Sequence, residues 1–127
     1  MNERILPAPP VTPESAPFVE AASAGKFLLR RCTSCGRAHW YPRAVCPFCF
    51  GAASWEEVSG RGTIYSFSVM RRVDPPYVIA YVTLDEGPTM MTNLVECDFD
   101  ALRIGQRVQL AFRPTEGGAL VPCFRPA

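Results

Sequence analysis

The sequence predicts a mainly β protein in three parts: a short N-terminal helix behind an extended arm, a small cysteine-stapled ribbon, and a closed barrel of five strands. Three observations carry this. Two Cys-x-x-Cys pairs face each other across ten residues. Beyond Gly51, short apolar runs recur at even spacing between Gly- and Pro-containing turns. Ahead of the cysteines, four prolines fall within residues 1–14. The parts are placed at residues 1–25, 26–53 and 54–127.

At 127 residues with 48% apolar content, the chain is long enough for one domain or a small module on a compact one. The first residues show no basic run followed by an apolar stretch, and no window approaches eighteen consecutive apolar residues. The expectation is a cytoplasmic chain with no membrane span, in which thiols stay reduced and paired cysteines serve a metal.

Residues 1–14 read as an extended arm that orders only against something else. Ser15 is placed to cap a helix, Pro17 fits its first turn, and Gly25 ends it. Lys26–Arg31 reads as a strand into the first Cys pair and Ala38–Tyr41 as its return. Cys32, Cys35, Cys46 and Cys49 are the candidate metal ligands. A two-residue gap lets both thiolates of a pair reach one ion, and four soft donors suit tetrahedral Zn²⁺. Four protein ligands close the coordination shell, so the site is structural. The glycine past each pair, Gly36 and Gly51, supplies a positive φ. Strands this short need the metal in place of a core, which makes the unit a zinc ribbon. His39, the one histidine, reads as a partly exposed ribbon residue, and Cys97 and Cys123 as small buried side chains.

In the last part, Ser54–Val58 precedes a Ser-Gly-Arg-Gly turn. Thr63–Met70 alternates, with Ile64, Ser66, Ser68 and Met70 on one face and Tyr65, Phe67 and Val69 on the other. Tyr77–Leu84 is apolar on both faces, Thr89–Val95 follows, and Phe99–Gly105 reads as a helical turn. Arg107–Arg113 and Leu120–Phe124 complete the strands. Five strands, antiparallel by their short connections, fit an OB fold. A partner is the favoured cover for the outer face of Tyr77–Leu84.

Charge is uneven. Between Ala21 and Trp55 stand Lys26, Arg30, Arg31, Arg37 and Arg43 with no acid, and between Val73 and Leu102 six acids stand with no Lys or Arg. The expectation is a basic ribbon and an acidic flank. No nucleophile, base and orienting group can be assembled from one His and scattered acids, so no catalytic residue is assigned. Nucleic-acid binding is disfavoured because acids crowd the strands around Tyr77–Val95. An iron-binding electron carrier is disfavoured because a ten-residue gap is short for a rubredoxin.

The ribbon spacing, Ser59–Phe67, the strand ending Leu84-Asp85-Glu86-Gly87-Pro88, Arg103–Val108 and the terminal Phe124-Arg125-Pro126-Ala127 together resemble bacterial and archaeal proteins that join a rubredoxin-like zinc ribbon to an OB fold. The likeness covers residues from about 14 to 127. It implies a non-catalytic companion of a thiolase-like enzyme or a hot-dog hydratase, in a hetero-oligomer associated with acyl-CoA substrates. It carries over Cys32, Cys35, Cys46 and Cys49 as zinc ligands. Phe50 departs from the pattern, standing between Cys49 and the glycine that often follows the last ligand directly. In that setting Arg30, Arg31, Arg37 or Arg43 would lie near CoA phosphates, for which a guanidinium fork is suited.

Overall fold

Pro17 in the first turn and Gly25 just past the last bracket helix α1 (Ala16–Ser23), which buries Phe18 and Ala22. The computed structural model describes residues 4–127. Ser15 precedes the helix, but its hydroxyl does not cap it; Ser15 Oγ accepts the Thr12 N–H at 2.9 Å and so closes the turn before it.

Three strands follow in one small sheet of order β2–β1–β3: β1 (Leu28–Cys32), β2 (Ala38–His39) and β3 (Ala53–Glu57). The ribbon thus has one strand more than the sequence reading gave it. The register sets His39 and Trp55 on either side of Arg30. Residues opposite each other across an antiparallel pair share a face, so these three form one transverse row. The alternate face carries Leu29, which is fully buried.

The remaining strands, β4 (Arg61–Met70), β5 (Tyr77–Leu84), β6 (Thr89–Leu94), β7 (Arg107–Pro114) and β8 (Leu120–Pro126), close into a barrel of order β4–β5–β6–β8–β7. This is the OB arrangement that the strand count predicts. The expectation of wholly antiparallel pairing fails at one seam, where β6 meets β8 in parallel at Leu94 and Phe124. The cause is parity: five strands around a closed ring cannot all alternate in direction. The expected helical turn is a short 3₁₀ turn, Phe99–Ala101, capped by Asp98, whose Oδ1 accepts from Asp100 N at 3.0 Å.

β4 does not keep the two faces that its alternation suggests. Its register with β5 shifts between Ile64 and Ser66, leaving Tyr65 unpaired and 67% exposed. Before the bulge Ile64 points inward opposite Val82; after it, Phe67 and Val69 face the core opposite Ala80 and Val78. One extra residue moves every later side chain to the other face.

Phe27 joins the parts. Its ring lies 6.0 Å from Phe18 of the helix and 5.8 Å from Trp40 beyond β2. It also lies 6.4 and 6.3 Å from Phe112 and Phe124 of the barrel, all edge-on. Such contacts add to the area term of large buried rings. One continuous apolar cluster therefore runs from Phe18, Phe27 and Leu29 to Ile64, Val82 and Phe124.

The N-terminal arm packs on its own barrel. Leu6 bridges in parallel to Thr115, its carbonyl accepts the Glu116 N–H at 3.0 Å, and the Arg4 guanidinium sits 4.2 Å above the Tyr77 ring. Arm, helix and Trp40 line a half-open apolar cleft of about 620 Å³ over the outer side of Tyr77 and Ile79. The outer face of β5 is thus covered in part from within the chain. Tyr81 remains 45% exposed beside its cross-strand partner Met91 at 60%.

Because Phe27 belongs to the ribbon and packs in the barrel, Phe27→Ala is expected to cost about 3–5 kcal/mol. Chemical denaturation followed by tryptophan fluorescence and far-UV circular dichroism should show both probes falling together. Loss of the ribbon signal alone at unchanged barrel stability would contradict a shared core.

Candidate metal centre

Two turns of the same design bring the sulfurs together. In the first, Cys32 O accepts the Gly36 N–H at 3.1 Å and Cys32 N donates to Arg37 O at 2.9 Å. In the second, Cys46 O accepts the Phe50 N–H at 2.9 Å and Cys46 N donates to Gly51 O at 2.9 Å. The repeat sets Gly36 and Phe50 in equivalent places, and both take positive φ, 77° and 63°. The sequence reading gave that role to Gly51. Gly51 is needed for space instead: a Cβ there would lie 2.9 Å from Ser34 Oγ and 3.3 Å from Cys32 Sγ.

The four cysteine sulfurs lie within 4.8 Å of one another, with Cys32 to Cys49 at 3.4 Å and Cys35 to Cys46 at 3.7 Å. Ligands about 2.3 Å from a tetrahedral zinc stand about 3.8 Å apart, so the donor set and its spacing fit one Zn²⁺. Backbone N–H groups point at the sulfurs as well. Cys32 Sγ accepts from Cys35 N and Ser34 N, both at 3.3 Å, and Cys46 Sγ accepts from Phe48 N at 3.4 Å. The Cys35 N–H, with that of Ser34, draws the Cys32 thiol down to about 6. Cys49 moves the other way, to about 11, because the pull of the Gly51 N–H is outweighed by crowding against the Cys32 sulfur and by burial. A thiolate at Cys32 near neutral pH is the form a metal requires.

β1 and β3 brace the first turn. Arg31 Nε pairs with the Glu56 carboxylate, and Arg31 Nη1 donates to Gly36 O at 2.7 Å. The contact with Glu56 holds the Arg31 guanidinium above its ordinary range. Arg37 lies 4.9 Å above the Phe48 ring and so ties the two turns together. Neither Glu56 nor Phe48 was singled out from sequence; the signal available was an acid and an aromatic flanking the ligands.

The other cysteines take no part. Cys123 is buried, and Cys97 is half-buried with its thiol pushed up by burial and by the charge of Asp98. His39 is 5% exposed rather than partly exposed, and neither ring nitrogen has a hydrogen-bond partner. Burial, with the charges of Arg30 and Arg43, lowers its pKa. The acidic flank is matched across strands. Asp85 holds Arg107 through two oxygens at 2.7 and 2.8 Å, Asp100 meets Arg71 at 2.8 Å, and Glu96 bridges Arg113 and Arg125. No described helix is long and apolar enough to cross a membrane.

A four-cysteine ribbon fused to a five-stranded OB barrel defines a class of metal-stapled two-part proteins. Residues 19–56 match the ChsH2 rubredoxin-like zinc ribbon domain, and residues 55–113 match the ChsH2 C-terminal OB-fold domain. A DUF35 domain-containing scaffold protein of Methanothermobacter thermautotrophicus is 36% identical over 91 residues, covering 65% of this chain and 68% of that protein. A probable enoyl-CoA hydratase alpha subunit of Thermomonospora curvata is 34% identical over 130 residues, covering 97% of this chain. The match spans only 40% of that subunit's length. Among solved structures, a chain of the Ltp2-ChsH2(DUF35) aldolase superposes with a TM-score of 0.81 at 31% identity, over 94% of this chain and 98% of that one. The chain belongs to the ChsH2, or DUF35, family of zinc-ribbon and OB-fold proteins.

Phe50, 78% exposed at φ 63°, holds a strained backbone without burying its ring. Phe50→Gly is expected to raise stability by about 1 kcal/mol, measured as a shift of the denaturation midpoint of the zinc-loaded protein. Removing the metal with a chelator, or making Cys46→Ser, is expected to broaden or erase the amide resonances of residues 32–51. Those of β4–β8 should persist at a lower thermal midpoint. Unchanged 32–51 resonances in verified metal-free protein would show that the turns hold without an ion.

Proposed function

We propose that this chain is a non-catalytic accessory subunit that binds and stabilises a thiolase-like, aldolase or hydratase enzyme acting on acyl-CoA substrates. In this reading Cys32, Cys35, Cys46 and Cys49 hold a structural Zn²⁺. The observation that carries it is the likeness, over nearly the whole length of both chains, to a chain solved within the Ltp2-ChsH2(DUF35) aldolase. The site chemistry supports it too. The four-thiol set leaves no open coordination position for substrate, Cys97 has a raised pKa, and His39 has neither a nucleophile nor a carboxylate on its nitrogens among the described residues. Tyr65, Tyr81 and Met91 leave an apolar patch on the barrel wall, of the kind that protein partners cover.

The division of labour at residues 1–25, 26–53 and 54–127 belongs to this proposal. The arm and helix steady the barrel face, the ribbon fixes the helix through Phe27 and Trp40, and the barrel presents the patch. Zinc stabilises the scaffold and takes no part in a reaction.

The test is capture of the tagged, zinc-loaded chain from its native lysate in chelator-free buffer, with mass spectrometry of what stays bound. Near-stoichiometric recovery of a thiolase-like, aldolase or hydratase subunit is expected, and its loss with Tyr81→Glu and Met91→Glu would locate the contact. Acyl-CoA is expected to bind the assembled pair at least tenfold more tightly than this chain alone. Turnover of an acyl-CoA by the isolated chain would overturn the non-catalytic reading.

A further inference from the structure

We propose that the outer face of β5, β6 and β8 is a groove for an extended, proline-containing segment of the partner subunit, and that the chain's own N-terminal arm fills it as a displaceable strap. The identity of the partner rests on the accessory-subunit reading, whereas the strap is a property of the isolated chain.

The arm shows what the groove accepts. Residues 4–11 belong to no helix or strand, apart from the bridge at Leu6, and include Pro7, Pro9 and Pro10. Prolines stiffen such a segment before it docks, so little freedom is lost on docking. Its root is fixed, because the turn from Thr12 to Ser15, closed by the Thr12 N–H on Ser15 Oγ at 2.9 Å, leads directly into α1. Towards its tip it is tied at two residues among those described. The Leu6 carbonyl accepts the Glu116 N–H at 3.0 Å, and the Arg4 guanidinium lies 4.2 Å above the Tyr77 ring. Ile5 and Val11 remain exposed. A segment that leaves two apolar side chains in water and makes so few directional contacts opens at low cost.

The place it occupies points to a ligand. In OB barrels the face of the second and third strands, with the loop between the fourth and fifth, binds extended polymers. Here those strands are β5 and β6, and the loop between β7 and β8 carries Thr115 and Glu116. The arm thus lies where an external polymer docks on this fold. The cleft there is lined by Phe18, Trp40, Tyr77, Ile79, Met91 and Val121. Arg4 is the one charged residue lining it among those described, and it belongs to the arm. With the arm lifted, the groove offers aromatic and apolar surface, the Glu116 N–H, and no cation for a phosphate. The polymer it fits is therefore a polypeptide and not a nucleic acid. Aromatic surface of this kind takes proline rings, and an edge N–H sets the register of the incoming backbone.

The covered groove and the exposed patch are one surface. Tyr77, Ile79 and Tyr81 alternate along β5 and so share a face, and Met91 lies opposite Tyr81 on β6. Lifting the arm joins Tyr77 and Ile79 to the patch. Because the arm is tethered, it competes at a high effective concentration, and poorly matched segments are excluded.

The test uses the zinc-loaded full chain and a fluorescein-labelled synthetic peptide of residues 4–14, followed by fluorescence anisotropy. Leu6→Asp in the chain is expected to loosen the strap and lower the Kd of the peptide about tenfold or more, with Arg4→Ala acting in the same direction. The peptide carrying the same Leu6→Asp change is expected not to bind, and Ile79→Glu is expected to abolish binding to the loosened chain. Zinc content and thermal midpoint check each variant, and Arg4→Ala decides alone if Leu6→Asp does not fold. Equal peptide affinity in the unaltered and loosened chains, or no saturation of the loosened chain at millimolar peptide, overturns the strap. This titration needs no partner, so its outcome is separate from that of the accessory-subunit reading. The subunit recovered by capture is expected to bind the Leu6→Asp chain more tightly than the unaltered one. Equal binding to both overturns the assignment of the groove to the partner. Concentration-dependent dimers of the unaltered chain that Leu6→Asp dissolves, seen by light scattering, would overturn it in favour of a second copy's arm.

Discussion

The interaction on which the rest depends is the packing of Phe27 between two units that could not each be complete without it. The ribbon's strands are five, two and five residues long, too little apolar surface to fold alone. The metal site fixes the far ends of those strands, and Phe27 with Leu29 fixes the near end by burial in the common core. A zinc held by the four thiolates would therefore act beyond its own turns. The strand that ends at Cys32, β1 in register with β2 and β3, also leads from Phe27, which meets Phe112 and Phe124, while Trp40 meets Phe18. A helix of eight residues, marginal in isolation, becomes stable because that aromatic floor is already built.

Charge follows a similar division between structure and surface. The run of acids from Asp74 to Asp100 and the run of bases from Lys26 to Arg43 suggest a molecule with two opposed ends, but folding brings Arg107, Arg113, Arg125 and Arg71 to the acids. Each exposed pair contributes little on its own. Their collective effect is on placement. Asp85 ties the β5–β6 turn to β7, and Glu96 ties the end of β6 to β7 and β8, at the seams where the ring closes. Arg30 and Arg43 on the ribbon stay outside this matching, as do Arg61, Arg72 and Arg103 on the barrel.

The ribbon and the barrel were legible for different reasons. Four cysteines at two-residue spacing fix a geometry that a metal tolerates in few other ways, so the centre could be read locally. The number of barrel strands could be read from turn chemistry and even spacing, whereas the parallel seam of β6 with β8 could not. What could not be read depends on contacts far apart in sequence. The bulge at Tyr65 has no residue signature in a run that alternates cleanly, and it reverses the faces of Phe67 and Ser68. Residues 54–58 read with the barrel part because barrel residues follow them in sequence, whereas β3 pairs with β1. The burial of His39 follows from its place beside Arg30, which a single strand of two residues does not reveal. Phe50 was visible as an irregularity, but only the repeated hydrogen bonds of the two turns show that it occupies the place of Gly36.

The N-terminal arm shows how such a scaffold leaves some of its surface for another molecule. Arm, helix and Trp40 cover Tyr77 and Ile79 and stop short of Tyr81 and Met91, so the two-sided apolar strand is half closed from within. Had the arm been free, the whole outer face of β5 would lie open, a hazard for self-association. Partial cover instead leaves one small patch, with Tyr81 and Met91 paired across strands and Tyr65 thrown outward by the bulge. The β-bulge thus has a consequence beyond the core. The extra residue that turns Phe67 inward also exposes Tyr65, and one local irregularity shapes both the inside and the outside of the barrel.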